Sequence, residues 1–145
     1  MIDKETGAVK FLNWEIPLSR HVTRKAFLNS ALTKDASIQI ENGEYSSWRL
    51  PPTKWDEKWW TAVIYFEGEQ LYQLVLAASE SEASPGWENW SEERERNMKG
   101  YYATVLERLF GFSRVGPYKF PWGMVEIVYD ERSAGSYIII KYDKK

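Results

Sequence analysis

The sequence predicts an α+β fold, with a mainly antiparallel β-sheet of about five to six strands. One long amphipathic helix would pack on this sheet, and a short helix would precede it. Two observations predict this: pairs of apolar runs joined by short polar turns, and one segment with apolar residues every three or four positions. The predicted order is β-α-β-β-β-β-α-β-β. With no internal repeat and no obvious second domain, residues 1–145 are expected to form one domain.

The first third of the chain is expected to contain a strand, a short helix and a hairpin. The stretch VKFLNWEI, residues 9–16, alternates loosely and predicts the first strand, which Pro17 ends. In HVTRKAFLNSAL, the Thr23 side chain is placed to cap a short helix. The buried stripe of this helix would consist of Phe27, Leu28 and Leu32. Two short strands would follow, Ile38 and Ile40 alternating in the first and Asn42-Gly43 forming the turn.

The central part of the chain gives the strongest strand signals. Residues 60–66 and 71–77 are rich in Val, Ile and Tyr, and EGEQ joins them with Gly68 in the turn. Both runs are almost continuously apolar, which predicts strands in mid-sheet with a helix on at least one face. The polar stretch that follows, ESEASPGWENW, is predicted to be a loop because it contains Pro85-Gly86.

The stretch SEERERNMKGYYATVLERLFG predicts the long helix. Ser91 is a natural N-cap, and the glutamates that follow it in the first turn suit the helix dipole. Gly111 is expected to end the helix. Gly100, inside the helix, would mark close packing against the sheet. The apolar face would be formed by Met98, Tyr101, Tyr102, Val105, Leu109 and Phe110.

The last predicted strands, residues 124–129 and 136–142, flank the polar segment DERSAGS. Its charged and hydroxyl groups raise the question of an active-site loop. Asp130, Ser133 and Gly135 are, however, the residues that a hairpin connection needs, and an exposed Asp130–Arg132 ion pair could brace it. The segment is therefore interpreted as a turn.

Composition excludes several kinds of chemistry. The chain has no cysteine, so disulfides, thiolate catalysis and zinc–thiolate sites are ruled out. Its one histidine, His21, lies before the predicted helix cap and is interpreted as a surface residue; no metal or cofactor is expected. The net charge of −2 argues against a nucleic-acid-coating or membrane-binding surface. The N-terminus lacks the apolar core of a signal peptide, and a cytoplasmic location is expected.

The candidate binding site is an acidic, aromatic stretch around residues 80–96. This stretch contains six glutamates and only two basic residues, Arg94 and Arg96, which gives a local charge of −4. Trp87 and Trp90 lie between the glutamates in the sequence. Carboxylates that steer and aromatics that anchor suit an interface for a basic partner. A solvated helix start would have a similar composition. The candidate partner-binding residues are Glu80, Glu82, Trp87, Glu88, Trp90, Glu92, Glu93 and Glu95.

Two other functions fit parts of the sequence. A pair of these carboxylates could hydrolyse a glycosidic bond, with the tryptophans stacking on sugar rings. Alternatively, RLPPTKWDEKWW, residues 49–60, interleaves three basic residues with tryptophans, as a single-stranded nucleic-acid-binding module would. The acidic residues in that stretch weaken its positive field.

Four stretches, in order, resemble small bacterial immunity proteins that neutralise polymorphic or contact-dependent growth inhibition toxins. They are HVTRKAFLNSAL, WTAVIYFEGEQLYQLVLA, WENWSEERERNMKGYYATVLERLFG and FPWGMVEIVYDERSAGSYIIIKY, which together cover most of residues 20–142. The resemblance implies an antitoxin without enzymatic turnover that binds a cognate toxin domain, often a basic nuclease. It names neither the toxin nor the oligomeric state.

Overall fold

Within residues 1–80, 92–130 and 135–144, which the computed structural model describes, the chain forms an eight-stranded antiparallel sheet. The helices are α1 (Arg24–Leu28), a 3-10 turn (Ala31–Thr33) and α2 (Glu92–Phe110). The strands are β1 (Ser37–Asn42), β2 (Tyr45–Arg49), β3 (Thr53–Trp55), β4 (Lys58–Glu67), β5 (Gln70–Ser79), β6 (Tyr118–Phe120), β7 (Gly123–Asp130) and β8 (Gly135–Tyr142). Their order across the sheet is β1-β2-β4-β5-β8-β7-β6, and β3 pairs with β4. The predicted fold class is confirmed, with more strands than expected.

The strand predicted over residues 9–16 is wrong. Val9 forms only isolated bridges with Ile2 and Leu18, and Trp14 closes a turn by donating its N–H to the carbonyl of Phe11. Val9, Phe11 and Trp14 are all buried. This segment contributes side chains to the core without joining the ladder, because its buried residues do not keep the two-residue period of a strand.

Strands β3 and β6 were not predicted, because three residues are too few to show an alternating pattern. β3 follows Pro51 and Pro52, and β6 lies between Pro117 and Pro121. Prolines are typical of strand ends and sheet edges, so the sequence around both strands indicates loops.

The short helix α1 begins as predicted and ends early. The Thr23 hydroxyl oxygen accepts a 3.0 Å hydrogen bond from the backbone N–H of Ala26. Phe27 is fully buried and Leu32 nearly so, but Leu28 is 40% exposed. The helix ends at Leu28 after five residues, so Leu28 does not share a continuous helical stripe with Leu32.

The two central strands, β4 and β5, lie in mid-sheet as predicted, and Gly68 turns between them with φ +58°. Burial in β4 alternates strictly: Trp60, Ala62, Ile64 and Phe66 are buried, while the residues between them are half-buried. The two faces of the sheet therefore differ. One is covered by the rest of the chain and is named the covered face; the opposite one is named the outer face.

The covered face carries α1, α2 and the N-terminal segment. The ring of Trp60 lies 6.1 Å from that of Phe11 and 5.9 Å from that of Tyr102, which joins the N-terminal segment and α2 in one core. Phe27 of α1 packs in the same way, 5.6 Å from both Trp48 and Phe66. Aromatic rings thus supply much of this core.

Helix α2 buries the face that its periodicity predicts, with Leu106 as an additional core residue. Gly111 ends the helix with φ +85° and donates its N–H to the carbonyl of Glu107. The expectation for Gly100 is wrong: a Cβ atom there would meet nothing within 4 Å, and the residue is exposed.

Polar side chains of β8 and of the turn before β7 fasten the N-terminal segment to the sheet. The indole N–H of Trp122 donates a 2.8 Å bond to the carbonyl of Lys4, and the Tyr142 hydroxyl donates a 2.6 Å bond to that of Gly7. Burial raises the pKa of the Tyr142 hydroxyl. These bonds place residues near both ends of the sequence side by side.

Strands β7 and β8 pair from Gly123 with Tyr142 to Asp130 with Gly135, as a hairpin does. The two strands predicted for this part of the chain are confirmed. Residues 131–134, with Ser133 and the predicted Asp130–Arg132 pair, lie outside the described residues. In the described part of the chain, neither helix is long and apolar enough to cross a membrane.

Candidate partner-binding site

Glu80 begins the acidic stretch, directly after β5. Its carboxylate forms a 2.8 Å ion pair with the Lys58 ammonium, which also lies 4.7 Å from the centre of the Tyr101 ring. The Glu80 side chain is 64% exposed, so this pair contributes little to stability. It does fix the end of β5 beside the first residues of β4 and the middle of α2.

The start of α2 places further glutamates of the predicted site. The helix begins at Glu92, and the positive end of its dipole stabilises carboxylates in the first turn. Glu93 is exposed. Glu95 is half-buried, and among the described residues its Oε1 atom is enclosed without a hydrogen-bond partner. Glu82, Trp87, Glu88, Trp90, the predicted cap Ser91 and the Glu92 side chain lie outside the described residues.

Tyr102 connects this part of α2 to the sheet. Its hydroxyl oxygen accepts a 2.8 Å bond from the backbone N–H of Ala78, near the end of β5. Burial raises the pKa of Tyr102 to about 12, and the nearby Glu95 carboxylate acts in the same direction. Glu95 therefore faces the helix–sheet junction more than the solvent, which separates it from the exposed Glu93.

The β3–β4 turn lies against α2 at the same end of the sheet. Its two residues, Asp56 and Glu57, have φ of +53° and +63°, as in a type I′ turn, a conformation more usual for Asn and Gly. The Asp56 carboxylate accepts a 2.7 Å bond from the Arg108 guanidinium and a 2.8 Å bond from the Tyr101 hydroxyl. The hydrogen bond from Arg108 is the largest cause that lowers the pKa of Asp56, and the hydrogen bond from Tyr101 is the next. Burial, and the hydrogen bond that the Tyr101 hydroxyl donates to Asp56, raise the pKa of Tyr101.

Sequence reasoning missed this anchored turn. The available signal was the pair Asp56-Glu57 between two short runs containing Trp55 and Trp59. The partners of Asp56 lie 45 and 52 residues further along the chain, so no local pattern reveals them. The turn brings an ionised carboxylate next to the acidic stretch.

The tryptophans in and directly before RLPPTKWDEKWW divide into two groups. Trp48 and Trp60 are buried in the core, with 5% and 0% exposure. Trp55 and Trp59 are half-buried, and the Lys54 ammonium lies 5.8 Å from the centre of the Trp59 ring. Half of the aromatic rings in the predicted stacking surface are thus unavailable to nucleic-acid bases.

The described residues contain no group of three or more His, Asp or Glu side chains arranged to hold a metal ion. His21 is exposed, as expected for a surface residue. What this end of the sheet presents is a set of exposed charges beside partly exposed aromatic rings. Such a surface can bind a macromolecule by electrostatic steering and ring packing.

Comparison with known proteins gives one likeness of fold. No protein-family model matches the chain, and no curated protein matches it. Among solved structures, a chain from the complex of Rhs1-CT with its cognate immunity protein RhsI1 is similar, with a TM-score of 0.59 and 13% sequence identity. The alignment covers 97% of this chain and 85% of that chain. This chain therefore shares its α+β fold, over almost its whole length, with a component of a complex between an immunity protein and its partner.

Proposed function

We propose that this chain is an immunity protein, which binds a cognate toxin domain and neutralises it. The observation that carries the proposal is the likeness of fold, over 97% of this chain, to a chain from a complex that contains an immunity protein. The four stretches that resemble immunity proteins span most of residues 20–142 and support it independently. Because fold alone does not determine function, the proposal needs a direct test.

The proposed mode of action is binding without turnover. Asp56 is a carboxylate with a perturbed pKa, and both of its partners favour the ionised form. An acid held in this way is a poor proton donor, whereas glycoside hydrolysis needs one carboxylic acid with a raised pKa. Asp56 is therefore unsuited to the role of the acid in such a site, whereas an ionised carboxylate suits a binding surface.

The proposed contact surface for the toxin includes the acidic stretch. Its members are Glu80, Glu82, Trp87, Glu88, Trp90, Glu92, Glu93 and Glu95. Exposed Glu80 and Glu93 supply negative charge at the end of the sheet, which suits a basic toxin such as a nuclease. We place the encounter in the cytoplasm, in a polymorphic-toxin or contact-dependent growth inhibition system.

Co-expression tests the proposed function. The proposal predicts that the gene directly upstream encodes a large secreted protein, and the C-terminal domain of that protein is the probe. Cells that express this domain alone should stop growing, and cells that also express this chain should grow. The purified pair should form a complex that elutes together in size-exclusion chromatography.

Absence of protection and of complex formation with that domain would contradict the proposal. Retention of the chain on single-stranded DNA or RNA, with affinity falling steeply as salt rises, would instead favour a nucleic-acid-binding module. Release of sugars from a glycan, abolished by a single Glu→Gln change in the acidic stretch, would favour a hydrolase.

A further inference from the structure

The outer face of the sheet has no described element packed on it. The half-buried hydrophobic residues that pack against the core include Trp55, Met98 and Leu109, but none of the outward-pointing residues of the central strands. The strand pairing shows which residues these are: Val63 lies opposite Val75, and Val75 opposite Ile139. The same face also carries Tyr137 and Val128, which pair with each other.

This composition is unusual for a face turned toward solvent. An antiparallel sheet with one covered face normally alternates apolar residues inside with polar residues outside. Here one continuous row across three central strands consists of Val63, Val75 and Ile139. A contiguous, partly exposed apolar patch of this kind is typical of an interaction site.

Three tyrosines extend the patch toward β2. A bulge in β5 opposite Tyr65 and Phe66 leaves Tyr72 unpaired, and its ring lies 6.1 Å from that of Tyr65 and 6.3 Å from that of Tyr45. Burial raises the pKa of Tyr65 and Tyr72 further above their ordinary value of about 10. Tyr45 is 51% exposed. Tyrosine is enriched at protein interfaces because a rigid ring with a polar tip binds at low entropic cost.

The exposed charges on the strands of this face are positive. Among the described outward-pointing strand residues, the exposed charged ones are Arg49, Lys54, Lys119 and Lys141. The carboxylates on the same face belong to Glu67, Glu126 and Asp130, and all three are half-buried. A partner that docks here therefore meets an apolar centre and a basic rim.

The size of the face suits a protein partner. Five adjacent strands, spaced about 4.8 Å apart and each about eight residues long at roughly 3.3 Å per residue, span on the order of 600 Å² in projection. One partner contributes about 800 Å² of accessible surface to a standard protein–protein interface. The outer face alone supplies most of such an area.

We propose that the outer face is a principal docking surface for the toxin domain, and that the toxin meets it with an apolar patch edged by carboxylates. This inference rests on the proposed function. Charge complementarity selects this occupant over a second copy of the chain, because two basic rims would face each other in a symmetric dimer.

The outer face and the acidic stretch adjoin each other. Trp59 and Ser79 pair at the end of the outer face, and Glu80 follows Ser79 directly. A single toxin domain can therefore cover both surfaces, with cationic groups opposite the acidic stretch and carboxylates opposite the basic rim. Such a two-zone charge pattern fixes the orientation of the partner as well as its affinity.

Calorimetric titration with the C-terminal domain encoded upstream tests this inference. The rim variant is Arg49→Glu with Lys141→Glu, and the centre variant is Val75→Lys with Ile139→Lys. The control is Lys25→Glu with Lys34→Glu, which makes the same charge change on exposed residues at the α1 side. We expect both outer-face variants to weaken binding at least about tenfold, and the control to change it less than about twofold.

The possible outcomes separate the two proposals. If the unaltered chain does not bind the domain, the proposed function fails. If it binds and the rim and centre variants bind equally well, the outer face is not the docking surface. A dimer of the free chain that the rim variant dissociates would also overturn the inference. Should the lysine variant unfold, Val63→Thr with Val75→Thr, which keeps the β-branched shape, provides the same test.

Discussion

The Arg108 guanidinium of α2 donates a 2.7 Å hydrogen bond to the Asp56 carboxylate at the tip of the β3–β4 turn. Fifty-two positions separate the two residues, and the contact fastens a turn with two positive φ angles to the long helix. The pair contributes more to geometry than to energy, because half of the Arg108 side chain is exposed. It keeps the β3–β4 turn beside the acidic stretch.

Asp56→Asn should lower stability at neutral pH by up to about 1 kcal/mol, the range of exposed ion pairs. Asn tolerates the positive φ of this position, so the backbone is preserved and only the charge is lost. The folded-state pKa of Asp56 is depressed. Its contribution is therefore fully present above the ordinary Asp pKa of about 3.9 and disappears as pH falls through the lower folded value.

Urea denaturation of both proteins at pH 7, 5 and 3 measures this contribution. The difference in unfolding free energy should be the same at pH 7 and 5 and smaller at pH 3. A difference that stays constant down to pH 3 would show that Asp56 is not stabilised in its ionised form.

Gly123→Ala should destabilise the protein by about 3 kcal/mol or more. Gly123 has φ +152°, and an added Cβ atom would lie 2.0 Å from the Lys141 carbonyl oxygen in the paired strand β8. Backbone atoms of a central strand cannot move aside without breaking the β7–β8 ladder. Thermal and urea denaturation should both show the loss.

Gly100→Ala provides the matched control. Its Cβ atom meets nothing within 4 Å, and the residue lies in the exposed part of α2. Alanine should therefore stabilise the helix by up to about 1 kcal/mol. Equal effects of the two substitutions would contradict the geometry of the β7–β8 pair.

Tyr102→Phe should cost about 1 kcal/mol, because the partly buried N–H of Ala78 loses its acceptor. Tyr101→Phe is the comparison: its hydroxyl bonds the more exposed Asp56, and the loss should be smaller. Urea denaturation gives both values. Loss of protection at the Ala78 amide in hydrogen exchange should accompany the first substitution, and unchanged exchange would argue against this bond.

Reversing Glu88, Glu92 and Glu93 to Lys should slow association with the proposed toxin partner and reduce the dependence of that rate on salt. Glu95 is left unchanged because its half-buried carboxylate lies near Tyr102, where a substitution would disturb folding. Stopped-flow measurements at low and moderate salt give the rates. An unchanged rate at low salt would remove the acidic stretch from the interface.

The sequence predicts elements well where periodicity and turn chemistry agree. Thr23 caps α1, Gly68 turns between β4 and β5, and Gly111 ends α2, each for the local reason that its residue type suggests. The same reasoning fails for residues 9–16, because packing against a distant sheet determines their conformation. Leu106 lay outside the predicted stripe for a related reason: the width of a buried helix face depends on its neighbours.

The candidate site, too, could be predicted from the sequence only in part. Charge density along the chain indicates Glu80 and the start of α2, which lie at one end of the sheet. The outer face is not readable from the sequence, since an almost continuously apolar strand does not reveal which of its faces is covered. Only the strand pairing shows that Val63, Val75 and Ile139 form one row outside the core.

The bonds from Trp122 and Tyr142 to the first residues of the chain have a consequence for biosynthesis. Gly7 receives its bond from a residue 135 positions later, and Lys4 from one 118 positions later. During translation the first residues leave the ribosome long before either partner exists. Phe11 and Trp14 cannot be buried until the strands that they pack against have been synthesised. The native structure therefore forms only once nearly the whole chain has emerged. Under the proposed function, protection would begin only with finished chains, because a chain stalled before Trp122 lacks both donors that bond Lys4 and Gly7.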